Sequence, residues 1–332
     1  MPTIKDVANL AGLSICTVSR TIANKSRIKP ETRKKVLRAV EELSYKPNFM
    51  AQRLRLRTTH TLGLLLPDIA NPYYPKIAKH IEEYAAKRGY MILLCNADEN
   101  LQKEIQLSKM LLARNIDGLI VLPTTKTISH IQHFAAKGVP YVIVNRNFRG
   151  EKNCIPSDNS YGAYTMVKYL IENQHTNICG VFNSFSNPIY RERYAGAVKA
   201  LREFGLEDCI KSFILDAKGV QNVHDLVVEL FNRKKHPTAF FAANDVLGIG
   251  IYSAINNCGL RIPEDVSVVG YDNILFAPMM LPPLTTYHQP EDEMARVAID
   301  HLITRIEGGV TLPRQKLKGR IVVRKSVARA VR

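Results

Sequence analysis

The stretch Thr3-Ile-Lys-Asp-Val-Ala8, with Leu13-Ser-Ile-Cys-Thr-Val-Ser-Arg20 behind it, decides how this 332-residue chain is read. Thr3 and Asp6 stand three apart, the spacing at which a hydroxyl and a carboxylate satisfy each other's backbone N–H groups at a helix start. The helix they open places Val7, Ala8 and Ala11 on one face, and Gly12 ends it. Ser14 is positioned to cap a second helix, its hydroxyl accepting from a backbone N–H of the first turn. Within that helix Val18 and Ile22, four apart, face inward, while Cys16 and Arg20 share the opposite face. Two short helices joined by a glycine-containing turn make a helix-turn-helix, and the outer face of the second is free to enter a major groove.

Pro30 suits the first position of a third helix, running to about Leu43, although Lys29 before it is a poor cap. Val36, Leu37, Val40 and Leu43 are its expected buried stripe. The first 60 residues carry 13 Lys+Arg against 4 Asp+Glu, so +9 of the chain's net +16 sits in this short all-α unit. Such a concentration can be no more than a solvated surface, but together with the helix pattern it points to phosphate neutralisation and hence to DNA.

The string Thr-Ile-x-Asp-Val-Ala-x-x-Ala-Gly-x-Ser-x-x-Thr-Val-Ser-Arg, followed from Tyr45 by Tyr-x-Pro-Asn-x-x-Ala-x-x-Leu, resembles the head and hinge of the lactose/galactose-repressor family of bacterial regulators. The resemblance implies that the second helix enters the major groove, with Ile15, Cys16 and Arg20 at base-reading positions. Ser14, Thr17, Ser19 and Asn24 fall where the family contacts mainly phosphates, and Thr3 is counted with them as DNA-binding. Ile15 and Cys16 cannot form bidentate bonds, so they would offer apolar contact to thymine methyls and leave Arg20 the main hydrogen-bonded readout, to guanine. The alternative for Ile15 is packing against the first helix. In the hinge, Asn48 is a good N-cap, Ala51 matches the family position, and Leu54 occupies the place of a wedge that unstacks a minor-groove base step. Met50 and Leu54 packing onto the head is the alternative there. The domains expected are a head over 1–47, a hinge and linker over 48–60, and a core over 61–332.

Beyond the linker, short apolar runs alternate with amphipathic stretches. Leu62–Leu66, Met91–Cys95, Gly118–Leu122 and Tyr141–Val144 read as strands of one half; Ile178–Phe182, Ser212–Leu215, Ala239–Ala242 and Val266–Val269 read as strands of a second. An α/β core with parallel sheets follows, resembling the two-lobed periplasmic-binding-protein-like core of the same family. The resemblance implies lobe one over about 61–157 plus 290–317 and lobe two over about 158–288 plus 318–332, with a ligand between them at the carboxyl ends of the strands. By the same resemblance Tyr73 and Tyr74 would stack on a sugar face, and Asn71, Arg146, Arg193, Asn244, Asp272 and Gln289 would bind the effector. Planar bidentate groups beside flat apolar ones suit a sugar. Each residue also has a local use: Asn244 can cap a helix, Asp272 can close a turn, and Asn71-Pro72 can set a helix start.

No nucleotide-binding glycine loop, phosphate loop, nucleophile elbow or zinc helix is present, and the six cysteines show no metal or disulfide spacing. Neither enzyme nor metal site nor cofactor is expected. No signal sequence precedes the head and no run approaches the ~18 apolar residues of a membrane span, so a cytoplasmic protein, nucleoid-associated when bound, is expected. The reading is a transcriptional repressor that binds a pseudo-palindromic operator as a homodimer under control of a small ligand, a sugar or sugar derivative. Its rival is a sugar- or nucleoside-binding protein without a regulatory role. The family's dimer contacts would include Ile77, Ile81 and Tyr84, residues whose other reading is internal core.

Overall fold

The computed structural model describes residues 2–22, 28–45, 58–148, 150–232, 236–310 and 316–330, and the chain separates into two units, Met1–Thr59 and His60–Arg332. In the first, α1 (Ile4–Ala11) opens on the full capping box: Thr3 N–H donates to Asp6 at 2.7 Å and Asp6 N–H returns to the Thr3 hydroxyl at 3.4 Å. Gly12 caps its end at φ +64°, a left-handed conformation that costs a glycine little. In α2 (Ile15–Ile22) the Ser14 hydroxyl accepts from Thr17 N–H at 3.2 Å, and α3 (Pro30–Glu42) begins at its proline with no side-chain cap from Lys29.

Val7, Ala8, Val18, Val36 and Ala39 form the head's interior, with Ile22, Val40 and Leu43 packed against it. Leu37 is a correction: it is 52% exposed, and Ala39 takes the place expected of it. Counting from Val36, the positions three, four and seven along α3 face inward, whereas Leu37 is turned about 100° away.

The second unit contains two five-stranded sheets. The first has the order β2-β1-β3-β4-β5, all parallel, from β1 (Thr61–Leu66), β2 (Met91–Asn96), β3 (Gly118–Val121), β4 (Tyr141–Val144) and β5 (Cys154–Ile155). Between them run α4 (Tyr73–Lys87), α5 (Leu101–Ala113) and α6 (Ser129–Ala136). The second has the order β10-β9-β8-β7-β6, from β6 (Ile178–Val181), β7 (Ala239–Ala242), β8 (Ser267–Tyr271), β9 (Thr285–His288) and an antiparallel edge, β10 (Arg320–Val322). Its helices are α7 (Asn159–Glu172), α8 (Pro188–Glu203), α9 (Gly219–Phe231) and α10 (Asp245–Asn257). Strands β3, β4, β6, β7 and β8 are buried throughout, which is why they read as unbroken apolar runs.

Ser212–Leu215 is not a strand. A 3-10 helix occupies Glu207–Ser212, the Ser212 hydroxyl bonds back to Cys209 carbonyl, and only Ile214 bridges to Val181 before Asp216 turns at φ +62°. The short β5 and β9 were not among the expected strands.

Three crossovers tie the sheets together. The chain leaves the first sheet after β5, returns after β9 as α11 (Glu291–Ile306), which packs on β3, β4 and α4, and rejoins the second sheet at β10. The first and third crossovers are bonded to each other, Leu317 N–H to Pro156 carbonyl at 2.9 Å and Asp158 N–H to Leu317 carbonyl at 2.8 Å. In lobe two, a Cβ on Gly196 would lie 2.0 Å from Ser160 carbonyl, so α7 and α8 meet backbone to backbone and hold Arg193, one turn earlier, over the sheet end. Among the described residues no helix is long and apolar enough to cross a membrane.

Candidate functional site

On the head, the candidate reading surface is the outer face of α2. Val18 is fully buried and pins the helix, leaving Cys16 and Arg20 exposed and Ile15 44% exposed, so Ile15 is not a core residue. Thr17 and Ser19 are half-buried beside them, with Thr17 and Ser14 hydroxyls joined at 2.9 Å. The Thr3 hydroxyl is engaged by Asp6 at 2.8 Å. Asn24, Asn48, Ala51 and Leu54 lie outside the described residues.

In the core, two corners of similar construction, each an Asn-Pro pair at a helix start, stand one in each lobe. After β1, Asn71-Pro72 starts α4, and the Asn71 side-chain oxygen accepts from Tyr73 N–H at 3.1 Å. After β6, Asn187-Pro188 starts α8, and the Asn187 oxygen accepts from Ile189 N–H at 3.1 Å. A side-chain oxygen that takes an orphan N–H two residues on is how asparagine fixes a helix start. Tyr73 and Tyr74 follow the first corner, and Ile189 and Tyr190 the second; all four line one cavity.

A chain of hydrogen bonds crosses from one lobe to the other beneath that cavity. Arg193 in lobe two donates to Asp272 at 3.0 Å; Gln289, at the second crossover, donates to the same carboxylate oxygen at 2.6 Å. Ser157, at the first crossover, reaches Gln289 Oε1 at 3.2 Å and donates to Asn145 Oδ1 at 2.6 Å, and Asn145 Nδ2 donates to the Tyr73 hydroxyl at 3.0 Å. Burial raises the Asp272 carboxyl above the usual range, with Arg193 and Gln289 pulling it back. Two links of this chain, Asp272 at φ +107° and Asn145 at φ +59°, have backbone in the left-handed region that L side chains rarely adopt.

Arg193 is fully engaged: it also bonds Asn159 at 3.0 Å and Ala243 carbonyl, and stacks on Tyr271 at 3.6 Å. Asn244 does not line the cavity. Its oxygen caps α10 through Leu247 N–H at 2.8 Å, and its Nδ2 donates to the Tyr190 hydroxyl at 2.7 Å. Arg146 is 3% exposed, lies against Tyr74, whose hydroxyl it pulls back down against burial, rather than in the lining, and donates to Asn145 carbonyl at 3.0 Å. Tyr73 and Tyr74 meet edge to face, 74° apart, so they cannot both lie flat on one sugar ring as expected.

Asn145, Asn187, Ile189 and Tyr190 line the cavity without having been singled out as effector residues. The signal for three of them was present: Asn187-Pro-Ile-Tyr190 repeats Asn71-Pro-Tyr-Tyr74 at the same place in the second lobe. These side chains leave about 10 Å³ between them, roughly one water's worth and far below the ~300–1,000 Å³ of ordinary ligand clefts. Lys76 also ties the lobes, donating to Asn273 carbonyl at 3.2 Å and pairing with the buried Glu291. An incoming ligand must therefore part the lobes.

Comparison with known proteins gives two family matches, to bacterial regulatory proteins of the lacI family over residues 3–48 and to a periplasmic binding protein-like domain over residues 167–327. The HTH-type transcriptional repressor PurR of Photobacterium profundum is 35% identical over 98% of this chain and 99% of its own length. A lac repressor dimer bound to operator and the anti-inducer ONPF superposes with a TM-score of 0.89 at 27% identity, covering 98% of this chain and 99% of that one. The transcriptional regulator CelR in complex with cellobiose gives 0.73 at 30% identity, covering 98% and 100%.

Proposed function

Because the chain belongs to the lacI family of bacterial regulatory proteins, we propose that α2 of its head reads a pseudo-palindromic operator and that the cleft of its core binds a sugar or sugar derivative. The chain is a transcriptional repressor with a DNA-binding head and a ligand-binding core, not an enzyme. Repressors of this family bind operator DNA and a small effector and act as dimers. A DNA-binding repressor works where the chromosome is, which makes the cytoplasm its compartment in this reading.

The observation that carries the effector site is the bonded chain from Arg193 through Asp272, Gln289, Ser157 and Asn145 to Tyr73. It joins both lobes through two crossovers, so a ligand that replaces any of its links changes lobe spacing, the two-state element that coupling between sites requires. Four of the ten residues lining the cavity are carboxamides and the Tyr73–Tyr74 pair is perpendicular, an arrangement that suits a puckered polyol. The cellobiose complex of CelR supports the same class.

Asn71, Tyr73, Tyr74, Asp272 and Gln289 are assigned direct contact, Arg146 a contact beside Tyr74, and Arg193 and Asn244 positioning roles through Asp272 and Tyr190. The dimer face is reassigned. Ile77 and Ile81 are wholly buried inside lobe one and Tyr84 bonds Asp292, whereas Met91 (65% exposed), Leu93 and Leu94 on the edge strand β2, with Leu275 and Leu281 (83%) in lobe two, are among the exposed apolar side chains and are the ones proposed to meet a second copy. The hinge residues Asn48, Ala51 and Leu54 keep the roles the family pattern gives them.

Deleting residues 1–59 tests the division of labour. The remaining chain should keep its fold and its ligand-induced shift in melting temperature while losing operator binding, and the intact protein's affinity should fall steeply with salt. Operator affinity that survives the deletion, or that ignores salt, refutes it.

A further inference from the structure

The polarity of the cleft wall bears on the kind of molecule that fits it. Asn71 and Asn187 line the cavity, and each spends its oxygen on a backbone N–H, from Tyr73 and Ile189. A backbone N–H only donates, so these amides can point one way alone, and among the described residues their NH2 groups have no hydrogen-bond partner. The same reasoning fixes Asn244: Leu247 N–H holds its oxygen, and its NH2 donates to the Tyr190 oxygen. A hydroxyl that accepts there has its own proton to give. Burial raises the Tyr73 and Tyr190 hydroxyls above the usual phenol range, so both remain O–H, and Tyr73 likewise accepts from Asn145.

Four donors thus converge on the cavity: two tyrosine hydroxyls and two carboxamide NH2 groups. Beside Tyr74, the buried Arg146 keeps Nε and Nη2 without a hydrogen-bond partner among the described residues. Acceptors are few. Asp272 already receives two bonds on Oδ1, leaving Oδ2, and the Asn145 and Gln289 oxygens share the Ser157 hydroxyl. The other carboxylates near Arg146 are Glu99, with Asp68 beside it, and Glu192, with Lys316 beside it; burial raises both and Arg146 pulls both back.

A neutral sugar brings a proton with every hydroxyl, and on this wall Asp272 Oδ2 is the open charged acceptor, the carboxamide oxygens each holding one bond already. An oxyanion brings acceptors only, and a buried guanidinium with two open N–H directions is the group that pairs with one most strongly. We infer that the effector is a polyol bearing an oxyanion, a phosphate ester or a carboxylate, whose charged oxygens meet Arg146 and the convergent donors while its hydroxyls address Asp272. This rests on the cleft being the effector site.

The test is calorimetric titration of the full-length protein with glucose, glucose 6-phosphate, gluconate, ribose, ribose 5-phosphate and hypoxanthine. An anionic member should bind at least tenfold more tightly than its neutral parent. Arg146→Met should bring the two within about twofold, and Arg146→Lys should restore part of the gap. A phosphate ester should gain affinity as pH rises through ~6, where it takes its second charge, and a carboxylate should not, which separates the two sources. A neutral sugar that binds as tightly as its anionic forms, and is lost in Tyr190→Phe and Asp272→Asn, overturns the inference and leaves the cleft as the effector site. Binding of any member that persists unchanged in both of those folded variants overturns the cleft reading itself. Tightest binding by hypoxanthine, an anion preference that survives Arg146→Met, or no binding by any member overturns the inference as well.

Discussion

Lobe one brings to the cleft Arg146, whose guanidinium makes a single bond to a backbone carbonyl, whereas lobe two brings Arg193, which bonds Asn159, Ala243 and Asp272 and stacks on Tyr271. Both are nearly inaccessible to solvent. The same residue type at the same depth therefore serves two purposes. One guanidinium is bonded throughout within the protein and fixes the architecture around Asp272; the other has Glu99 and Glu192 in its surroundings but keeps Nε and Nη2 without a hydrogen bond among the described residues. Burial alone does not separate a structural arginine from a recognising one, but the count of satisfied N–H groups does.

The largest effect should come from exchanging these two arginines for methionine. Arg193→Met strands the buried Asp272 carboxylate and should cost about 3–5 kcal/mol, while Arg146→Met removes a guanidinium that bonds only the Asn145 carbonyl and should cost clearly less. Urea denaturation of the full-length protein reads both, and equal losses would erase the distinction between the lobes. A smaller effect is expected where the lobes are alike. Tyr73→Phe and Tyr190→Phe each leave one amide N–H unpaired, from Asn145 and Asn244, and each should cost about 1–3 kcal/mol by the same measurement. A marked inequality would show that the two corners are not equivalent.

The smallest signal, because many groups titrate around it, is a pH dependence confined to lobe two. Asp245 is fully buried, and burial, with Asp272 nearby, pushes its carboxyl up to about 7 against the pull of Thr286 and backbone N–H groups. Its folded value lies above the ~3.9 of an unfolded aspartate, so the native state holds the proton longer. The stability that Asp245 contributes is complete below pH ~4, declines as pH rises toward 7, and is gone above that. Asp245→Asn cannot lose a proton, so the difference in denaturation midpoint between the two proteins should drift across that window and be flat above it. A difference constant from pH 4 to 8 would mean that Asp245 titrates normally.

How legible each region was follows from how local its interactions are. The head's capping box, glycine turn and proline start each involve residues within four of one another, and the sequence states them directly. The error at Leu37 came from counting apolar residues without following the helical angle. In the core, Asn71, Tyr73, Tyr74, Asp272 and Gln289 stand at strand ends, where an α/β sheet puts its ligand, and the structure brings them together. The internal bonding of Arg193 and the indirect position of Asn244 were not legible, because both depend on partners 34 to 79 residues away. Tyr190 was hidden for another reason: its corner repeats the first one with isoleucine where lobe one has tyrosine. The strand expected at Ser212–Leu215 has the right composition, but a 3-10 turn takes its first residue and Asp216 cuts it short.

The crossovers have a consequence for synthesis. Lobe one lacks α11 until residue 306 has been made, and lobe two lacks β10 and the segment in which Ser326 bonds Thr285 and Val268. Each lobe therefore waits on chain made long after its first strand, through contacts of high sequence separation that form slowly. Among the described residues, the head's interior draws only on residues up to Tyr45, so the head can fold as it leaves the ribosome. On the nascent polypeptide a finished DNA-reading surface precedes the unit that governs it by more than 200 residues of translation, and at ~5–20 residues per second that is an interval of roughly ten seconds or more. A single head without its partner has little hold on an operator, and the late closure of both lobes delays dimer assembly until the ligand cleft is complete.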